Sequence, residues 1–543
     1  MYKIYRNCGV MMFLLAGFLY PSLVYGAEPG ELVASWIEEI GVPKPKDLPP
    51  RGDEGEGPFE HLIIKDVFII DGTGAPAYGP ATVTIEKDRI VGISRGEHAS
   101  YYKNNIKGGV DTKVIDGKGM YLLPGFIDSH FHYGSGISAY FGKLNDPEYV
   151  AKLTLGHGIT TVREVAAIWG LNWMVRHKKR SDAGEITAPR LVVYPQFPGL
   201  MELKTPMQAR KWVRTVHKRG AEGIKFARNE FDTPMDMYKA AIEEAKALDM
   251  EISDHHSIDK TTTLDVARLG VNSSEHFSGL PQAMRTGGTI KKYPVDYVNG
   301  QYEKRLKGDE AYFWGDTAQP GSQKWHQTIA ELIELDHTLV PTLAILGDRR
   351  DMMALRQAEW HDQFTMPYLM KAFEPNPKIH GSGTLDWTTD DELIQRRNTD
   401  MLMQFVDDFK NAGGRVAAGS DAGYIYMLYG FGFVRELEYL REAGFHPLEV
   451  IQSATLKGAE LMNMEKDLGS IEVGKKADMV LISENPLTNL KVLYGTGHRR
   501  FNFDSSKMER VGGVKYTIKD GIVWDAKQLL VDVRKLVAGE KSK

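Results

Sequence analysis

The sequence is almost free of cysteine, since Cys8 is the single cysteine among 543 residues. Cys8 precedes an apolar segment near the N-terminus, so cleavage after that segment would leave a chain with no cysteine. Disulfide bonds and cysteine-ligated zinc are then excluded, and the fold must rely on its hydrophobic core. An exported protein without disulfides fits the periplasm of a Gram-negative bacterium or its culture medium.

An excess of positive charge is also absent. The formal net charge is −5, with 67 basic and 72 acidic residues. Proteins that bind nucleic acid usually carry a large basic surface, so this composition predicts no nucleic-acid partner. The hydrophobic fraction of 42% is ordinary for a globular protein. The length exceeds that of one small domain and favours a large domain with a smaller partner.

Long apolar runs are missing except at the N-terminus, where Val10–Leu23 follows the basic residues Lys3 and Arg6. The small residues after this run suit a signal peptidase, so residues 1–26 are predicted to be a signal peptide cleaved before Ala27. The run is short for a membrane span, although an uncleaved anchor is the alternative. The mature protein is therefore expected to be periplasmic or secreted, without stable membrane insertion.

The residue pattern of the remaining chain divides it into a polar segment, two strand-rich end segments and a middle segment. Residues 27–60 are polar and predicted to form a linker or lid, and residues 61–122 and 468–530 contain short strands punctuated by Asp-Gly and Gly-x-Gly turns. These two end segments are predicted to form one small β-sandwich. Residues 123–467 alternate apolar runs with segments of helical periodicity. This alternation predicts an α/β fold with a (β/α)8 TIM barrel.

Two stretches interrupt the alternation, Leu280–Gln319 and Gly347–Asp390. Both are long, polar and rich in aromatic residues, glycine and proline. We expect them to be loop insertions over the substrate site. Their aromatic side chains would either line an apolar pocket or pack the loops themselves, and the sequence leaves both interpretations open.

Residues that bind metals recur at the predicted ends of barrel strands, where barrel enzymes carry their functional groups. In "PGFIDSHFHYG" alternate residues share one face of a strand, so two imidazoles can reach one ion. The polar residues at these strand ends are His130 and His132, Lys225 in "GIKF", His255 and His256 in "ISDHH", His276 in "NSSEHFSG", and Asp421 in "VAAGSDAG". Each alone has an ordinary structural explanation, such as a snorkelling lysine or a turn aspartate. Their occurrence together and in order predicts a metal site.

These motifs resemble those of the amidohydrolase superfamily, in its imidazolonepropionase- and prolidase-like branch. The resemblance covers roughly residues 61–525 and includes "LLPGFIDSHFH", "GHGITTVREV", "NSSEHFSG", "AAGSDAG" and the long run from "HPLEVIQSATLKGAELM" to "ADMVLISENPL". It implies a metal-dependent hydrolase of carbon–nitrogen bonds, built on a (β/α)8 barrel with a small β-sandwich.

For the first metal ion, the resemblance implies His130 and His132 as ligands together with Asp421. Asp421 would also be the catalytic residue, accepting a proton from the attacking metal-activated hydroxide or water and passing it to the leaving amine. Asp128 shares the face of His130 but lies one step deeper, so we expect it to support a ligand rather than bind metal.

For a second ion, the resemblance implies Lys225, carboxylated by carbon dioxide and bridging both metals, together with His276 and one further histidine. The chain has "DHHS" where the family usually has "HAH". Counting back from "LGVNSSEH" favours His256, and a shift of one residue would make it His255. Two zinc ions are expected, with manganese as the alternative.

The substrate implied by the resemblance is a small molecule with an amide bond, such as an N-acyl amino acid or a dipeptide. Arg228 is a candidate for binding a substrate carboxylate, as opposed to a loop position without function, and His255 is a second candidate for substrate contact. A lactone, ester or cyclic-amide hydrolase using the same site is an alternative, and so is a non-catalytic periplasmic binding protein. The sequence leaves the oligomeric state open, including a homo-oligomer.

Overall fold

The computed structural model describes residues 42–43, 45–95, 111–134, 136–198, 203–227, 233–255, 261–277, 279–286, 314–374, 387–424 and 426–543. The predicted signal peptide and the first part of the predicted linker lie outside these ranges. The described chain is a mixed α/β protein. None of its described helices combines the length and apolar character needed to cross a membrane.

The strands fall into an early group, a middle group and a late group along the chain. They are β1 His61–Ile69, β2 Tyr78–Glu86, β3 Arg89–Arg95, β4 Thr112–Asp116, β5 Tyr121–Pro124, β6 Phe126–Phe131, β7 Ile159–Ala166, β8 Arg190–Pro195, β9 Gly223–Ala227, β10 Glu251–His255, β11 Ser273–Glu275, β12 Thr338–Val340, β13 Arg415–Val416, β14 Met479–Ile482, β15 His498–Asn502, β16 Lys507–Val511, β17 Val514–Lys519 and β18 Ile522–Asp525.

The two ends of the chain meet in one sheet. Its strands run in the order β18-β17-β14-β5-β1-β2-β3, with β4 also paired to β1. The junction is the antiparallel pair of β5 and β14, in which Leu122 lies opposite Leu481. The apolar side chains of this sheet bury a core of their own around Ile64, Val83 and Met479. The packing of two layers into a sandwich, and the domain boundaries given above, stay predictions.

The middle strands form two parallel sheets, β6-β7-β8 and β9-β10-β11-β12-β13, in which each strand pairs with its neighbour along the chain. Parallel neighbours need a crossover connection, and helices supply it between most of these strands. A parallel bridge between Gln196 and Lys225 links β8 to β9. The other outer strands of the two sheets, β6 and β13, are also connected. The Ser129 amide donates to the Ala418 carbonyl at 2.9 Å, which links β6 to the chain after β13.

Helices lie between these strands along the chain and after the last of them. They are α1 Pro147–Gly156, α2 Leu171–Asp182, α3 Pro206–Arg219, α4 Met235–Ala247, α5 Thr263–Leu269, α6 Leu280–Ala283, α7 Gln323–Glu334, α8 Leu343–Arg350, α9 Met352–Arg356, α10 His361–Phe364, α11 Pro367–Phe373, α12 Thr389–Asn411, α13 Phe431–Glu442, α14 Pro447–Ser453, α15 Leu456–Leu461 and α16 Ala526–Lys541, with 3-10 turns at Gly136–Phe141 and Leu490–Leu493. Several begin with a side-chain cap, as at Asp146, whose carboxylate accepts from the amides of Glu148 and Tyr149.

The segments predicted as insertions are only partly described. Within Gly347–Asp390, the short helices α9, α10 and α11 pack on the core through Leu355, Phe364 and Leu369. Trp314, in the described end of the first segment, is fully buried. Phe373 is buried as well, whereas Trp360 and Trp387 are only partly buried. Most of the described aromatic residues of these segments therefore pack inside the protein, in line with the second of the two interpretations given above.

A buried ion network joins the parallel strands to the end sheet. Arg190, the first residue of β8, donates to Asp478 at 2.5 Å and to Asp520 at 2.6 Å. Asp478 precedes β14, and Asp520 lies in the turn between β17 and β18. Lys476 and Lys519 also donate to Asp520, at 2.7 and 2.9 Å. The buried charges are thus paired, as burial requires.

Candidate metal centre

Three predicted ligands converge at the carboxyl end of β6. The Nε2 atoms of His130 and His132 are 3.3 Å apart. Oδ1 of Asp421 lies 3.2 Å from Nε2 of His132 and 3.5 Å from Nε2 of His130. All three side chains are buried, and one donor atom from each lies within 4.8 Å of the others. Two imidazoles and a carboxylate at this spacing suit a divalent transition-metal ion.

The backbone explains why Asp421 reaches this position. Its amide donates to the His130 carbonyl at 2.9 Å, so the loop after β13 runs beside β6. The preceding residue, Ser420, donates through its amide to Asp128 at 2.8 Å and through its hydroxyl at 2.5 Å. Asp128 thus ties the loop of Asp421 to the strand of His130.

His276 and His255 extend the group. Nε2 of His276 lies 3.6 Å from Oδ2 of Asp421. The His276 ring centroid is 4.7 Å from that of His130 and 4.7 Å from that of His255. In the parallel register Ser253 lies opposite Lys225, so His255, two residues further on, has the same orientation as Ser253. His256 lies outside the described residues, as does Arg228, and the assignments made to them stay predictions.

Lys225 is buried, with 3% of its surface exposed, at the middle of β9. Its Nζ has no hydrogen-bond partner among the described residues. Burial lowers the pKa of Lys225 to about 8, and the nearby Arg163 adds to the effect. An unpaired buried amine is costly unless it is neutral or modified, so this side chain is set apart from an ordinary surface lysine.

Glu275 connects the centre to the core, and it was not among the site residues predicted from the sequence. Its Oε2 lies 2.6 Å from Nδ1 of His130. Its Oε1 accepts from Arg163 at 2.5 Å, from the Ser253 hydroxyl at 2.6 Å and from the Ser273 hydroxyl at 3.0 Å. Burial opposes ionisation, but Arg163, Lys225 and His130 together hold the pKa of Glu275 well below its usual range.

The sequence contains a sign that Arg163 has a buried partner such as Glu275. Arg163 lies inside the apolar run "GITTVREV", and an arginine in a fully buried strand must have a charged or polar partner. The structure supplies Glu275, the Ser129 carbonyl at 2.6 Å and the Ser273 hydroxyl at 2.9 Å. Glu164, the next residue, accepts from the amides of Tyr133 and Ala167 and lies 3.9 Å from Nδ1 of His132.

The protonation states in the centre are those that metal ligands need. Burial lowers the pKa of His130 to about 4, and burial with the nearby Lys225 lowers that of His255 to about 3. The pKa of His276 also falls well below its usual value, through burial and the neighbouring imidazoles. For Asp421, burial is outweighed by the surrounding histidines, which lower its pKa. His130, His255 and His276 are therefore neutral at neutral pH, and the carboxylate of Asp421 is ionised.

The backbone of the centre is strained. His276, Asp421 and Thr342 have φ angles of 59°, 50° and 41°, in the left-handed region that disfavours side chains. Such residues cost about 1–3 kcal/mol each and concentrate at functional sites. Thr342 is the sole β-branched residue with positive φ in the part of the chain that the structure describes.

Comparison with curated proteins finds short stretches of similarity. The chain is 34% identical over 108 residues to an adenine deaminase of Staphylothermus marinus, covering 20% of this chain and 16% of that protein. It is 32% identical over 136 residues to an imidazolonepropionase of Alkaliphilus metalliredigens, covering 22% and 31%. It is 35% identical over 101 residues to an N-acyl-D-aspartate deacylase of Alcaligenes xylosoxydans xylosoxydans, covering 19% and 16%. The matched stretch thus spans less than a third of each relative.

Solved structures match over most of the chain. A Xaa-Pro dipeptidase with methionine in its active site is 18% identical with a TM-score of 0.56, covering 86% of this chain and all of that one. A bottromycin amidohydrolase is 16% identical with a TM-score of 0.59, covering 95% of both chains. At these identities the likeness concerns the fold.

Family models give the more direct result. Two models, both described as amidohydrolase family, match residues 113–299 and 371–523. The first match contains His130, His132 and His276, and the second contains Asp421. The resemblance predicted from the motifs is therefore confirmed, and the chain belongs to the amidohydrolase family.

Proposed function

We propose that this protein is a metal-dependent hydrolase that cleaves amide bonds of small molecules, with N-acyl amino acids or dipeptides as the substrate class. The observation that carries the proposal is the buried convergence of His130, His132 and Asp421 within 4.8 Å. Two relatives support the substrate class, because one is named as an N-acyl-D-aspartate deacylase and the other as a Xaa-Pro dipeptidase.

The proposed scaffold is the closed (β/α)8 barrel. The bridge of Gln196 to Lys225 and the hydrogen bond of Ser129 to Ala418 support it, because they lie at the two gaps between the parallel sheets. Closure would gather the carboxyl ends of all eight strands around His130 and Asp421.

The donor set fits a divalent cation such as zinc, with manganese as the alternative. A bound ion would supply Lewis acidity that activates a water molecule and polarises the scissile carbonyl. Around it, Glu275 holds His130 through Nδ1, which leaves Nε2 free to bind. In turn, Oε1 of Glu275 accepts hydrogen bonds from Arg163 and from the hydroxyls of Ser253 and Ser273.

Asp421 is the proposed catalytic acid–base. Its carboxylate is ionised at neutral pH, since the surrounding histidines lower its pKa. It can accept a proton from the attacking water and deliver that proton to the leaving nitrogen, so that the amine departs uncharged. The strained backbone at φ 50° fixes the carboxylate beside both histidines.

Lys225 is proposed to carry a carbamate that bridges two metal ions. Its neutral amine would add to the carbon of carbon dioxide, forming an N–C bond and releasing one proton. The absence of a hydrogen-bond partner for Nζ among the described residues and the pKa of about 8 support this. Ligands for the second ion would be His276 and His255. The contact between their rings supports His255 in place of His256, which the family pattern had favoured.

Export to the periplasm or medium is proposed from the N-terminal segment alone. N-terminal sequencing of protein from a periplasmic fraction should find Ala27 as the first residue. An intact N-terminus in the membrane fraction would instead identify an anchor.

The central experiment measures metal content and hydrolysis together. Purified protein is loaded with Zn²⁺ or Mn²⁺ and assayed on N-acyl amino acids, dipeptides and lactones. Asp421→Asn is expected to lower kcat at least about 100-fold, because proton transfer typically contributes 10²–10⁴-fold. Asp504→Asn, at an exposed hairpin turn, is the matched control and should retain activity. Native mass spectrometry should find the mass of one added carbon dioxide, absent after Lys225→Met.

Each alternative outcome has a meaning. Preference for lactones over amides would make the protein an ester or lactone hydrolase. Metal binding without hydrolysis of any class would favour a binding protein. A protein that takes up no metal after loading would refute the proposal.

A further inference from the structure

Thr342 occupies an unusual position beside the metal centre. It lies two residues after β12, is 1% exposed, and adopts φ 41° and ψ 54°. A β-branched side chain is particularly unfavourable in this left-handed conformation. Glycine or asparagine would adopt it more easily, so a threonine here calls for a compensating interaction.

That interaction is with His276. Oγ1 of Thr342 lies 2.5 Å from Nδ1 of His276. The backbone of His276 is attached to the same connection, since its amide donates to the Val340 carbonyl at 2.9 Å. The chain after β12 therefore holds both the backbone and the ring of this histidine.

The contact selects one form of the imidazole. A histidine that binds metal through Nε2 must carry its ring proton on Nδ1. In that form Nδ1 donates to Oγ1 of Thr342, and the lone pair of Nε2 faces the carboxylate group of Asp421, 3.6 Å away. Without the hydroxyl, the ring could rotate or take the other tautomer, and each change would remove the lone pair from the centre.

We propose that Thr342 is a positioning residue for His276, and that its strained backbone is retained because it brings Oγ1 to Nδ1. The proposal rests on the metal-dependent function proposed above. It assigns a role in metal affinity to a residue that itself binds neither metal nor substrate.

Two variants separate the hydroxyl from the shape of the side chain. Thr342→Val keeps the branched shape and the strain but removes the hydroxyl. Thr342→Ser keeps the hydroxyl and removes a methyl group. Thr328→Val, at a buried helical threonine of α7 that bonds only the Lys324 carbonyl among described residues, is the matched control.

The measurement is titration of each metal-free protein with Co²⁺, followed by visible absorption, together with thermal unfolding of the metal-free forms. Thr342→Val should weaken the affected Co²⁺ site about 10–100-fold and alter its ligand-field bands, as loss of a ligand's supporting hydrogen bond does. Thr342→Ser should stay within about threefold of wild type, and Thr328→Val should bind as wild type does.

The outcomes are distinguishable. If Thr342→Val binds Co²⁺ like wild type, or if Val and Ser weaken it equally, the positioning role is refuted while the metal-dependent function stands. If wild type itself binds no Co²⁺, the proposed function fails and the role of Thr342 fails with it. A folding defect in Thr342→Val would appear in its metal-free unfolding, and Thr342→Ser then decides by retaining or losing affinity.

Discussion

At the scale of single residues, the charges next to the candidate ligands determine how the centre is held. Arg163 and Glu275 are both fully buried and form an ion pair, with the remaining contacts of Glu275 satisfied by serine hydroxyls and His130. A buried pair of this kind contributes little net stability compared with an apolar pair, but removing one partner leaves a buried charge uncompensated. Its presence here is best explained by the orientation of His130.

Glu275→Gln should therefore lower the free energy of unfolding of the metal-free protein by about 3–5 kcal/mol, because Arg163 loses its counter-charge. Combining it with Arg163→Met should cost less than the sum of the two single changes. Guanidinium denaturation of the four proteins measures this coupling. The partly exposed surface pair of Arg356 and Glu374 is the control, and its coupling should stay below about 1 kcal/mol. Additive effects for Arg163 and Glu275 would contradict the prediction.

At the scale of elements, strand periodicity and strand ends carry most of what the sequence reveals. The alternation around His130 predicted one strand end, and the apolar run before Asp421 predicted another. The structure brings the two together, since the Asp421 amide donates to the His130 carbonyl. The choice between His255 and His256 depended on one residue of register, because a shift by one reverses every side chain of a strand. Pairing of Ser253 with Lys225 gives the register of the described part of β10, which supports the proposal of His255, and no pattern in the sequence contains it.

The ion pairs between residues far apart in the chain could not be predicted from the sequence either. Arg190 is separated from Asp478 by 288 residues and from Asp520 by 330. The sequence predicted that both chain ends form a β-rich unit, but it gave no indication that an arginine of β8 would attach that unit to the parallel strands. Periodicity reports which face of an element is buried, whereas such pairs depend on how elements are arranged in space.

Arg190→Met tests this attachment. Two buried carboxylates would lose their guanidinium partner, and the free energy of unfolding should fall by about 3 kcal/mol or more. Lys476 and Lys519 keep part of the compensation for Asp520, so Asp478 bears most of the loss. Denaturation followed by tryptophan fluorescence measures the change. Arg499→Met, which removes an exposed pair with Glu359, should change stability by less than about 1 kcal/mol. Equal effects of the two substitutions would refute the role of the network.

At the scale of the whole molecule, stability should depend on pH through histidines that are buried away from the centre. His157 donates from Nδ1 to the Leu153 carbonyl at 2.8 Å and packs against Phe431 with ring centroids 4.3 Å apart. Burial lowers the pKa of His157 to about 4, and burial lowers that of His361 to about 4 as well. Between about pH 4 and pH 6.5, both imidazoles are therefore neutral in the folded protein but protonated in the unfolded chain.

The sign of the effect follows from proton binding. Between pH 6.5 and about 4 the unfolded chain binds a proton at His157 that the folded protein does not. The stability that depends on neutral His157 is therefore fully present above pH 6.5, and it is lost as the pH falls from 6.5 to about 4. In wild type, His157 should contribute a slope of about 1.4 kcal/mol per pH unit there. His157→Leu should reduce the slope by that amount, whatever its effect at pH 7.5. Urea denaturation at several pH values measures the slope, and exposed His326→Leu should leave it unchanged. An identical slope in wild type and His157→Leu would contradict the prediction, because His157 would then bind its proton equally in the folded and unfolded protein.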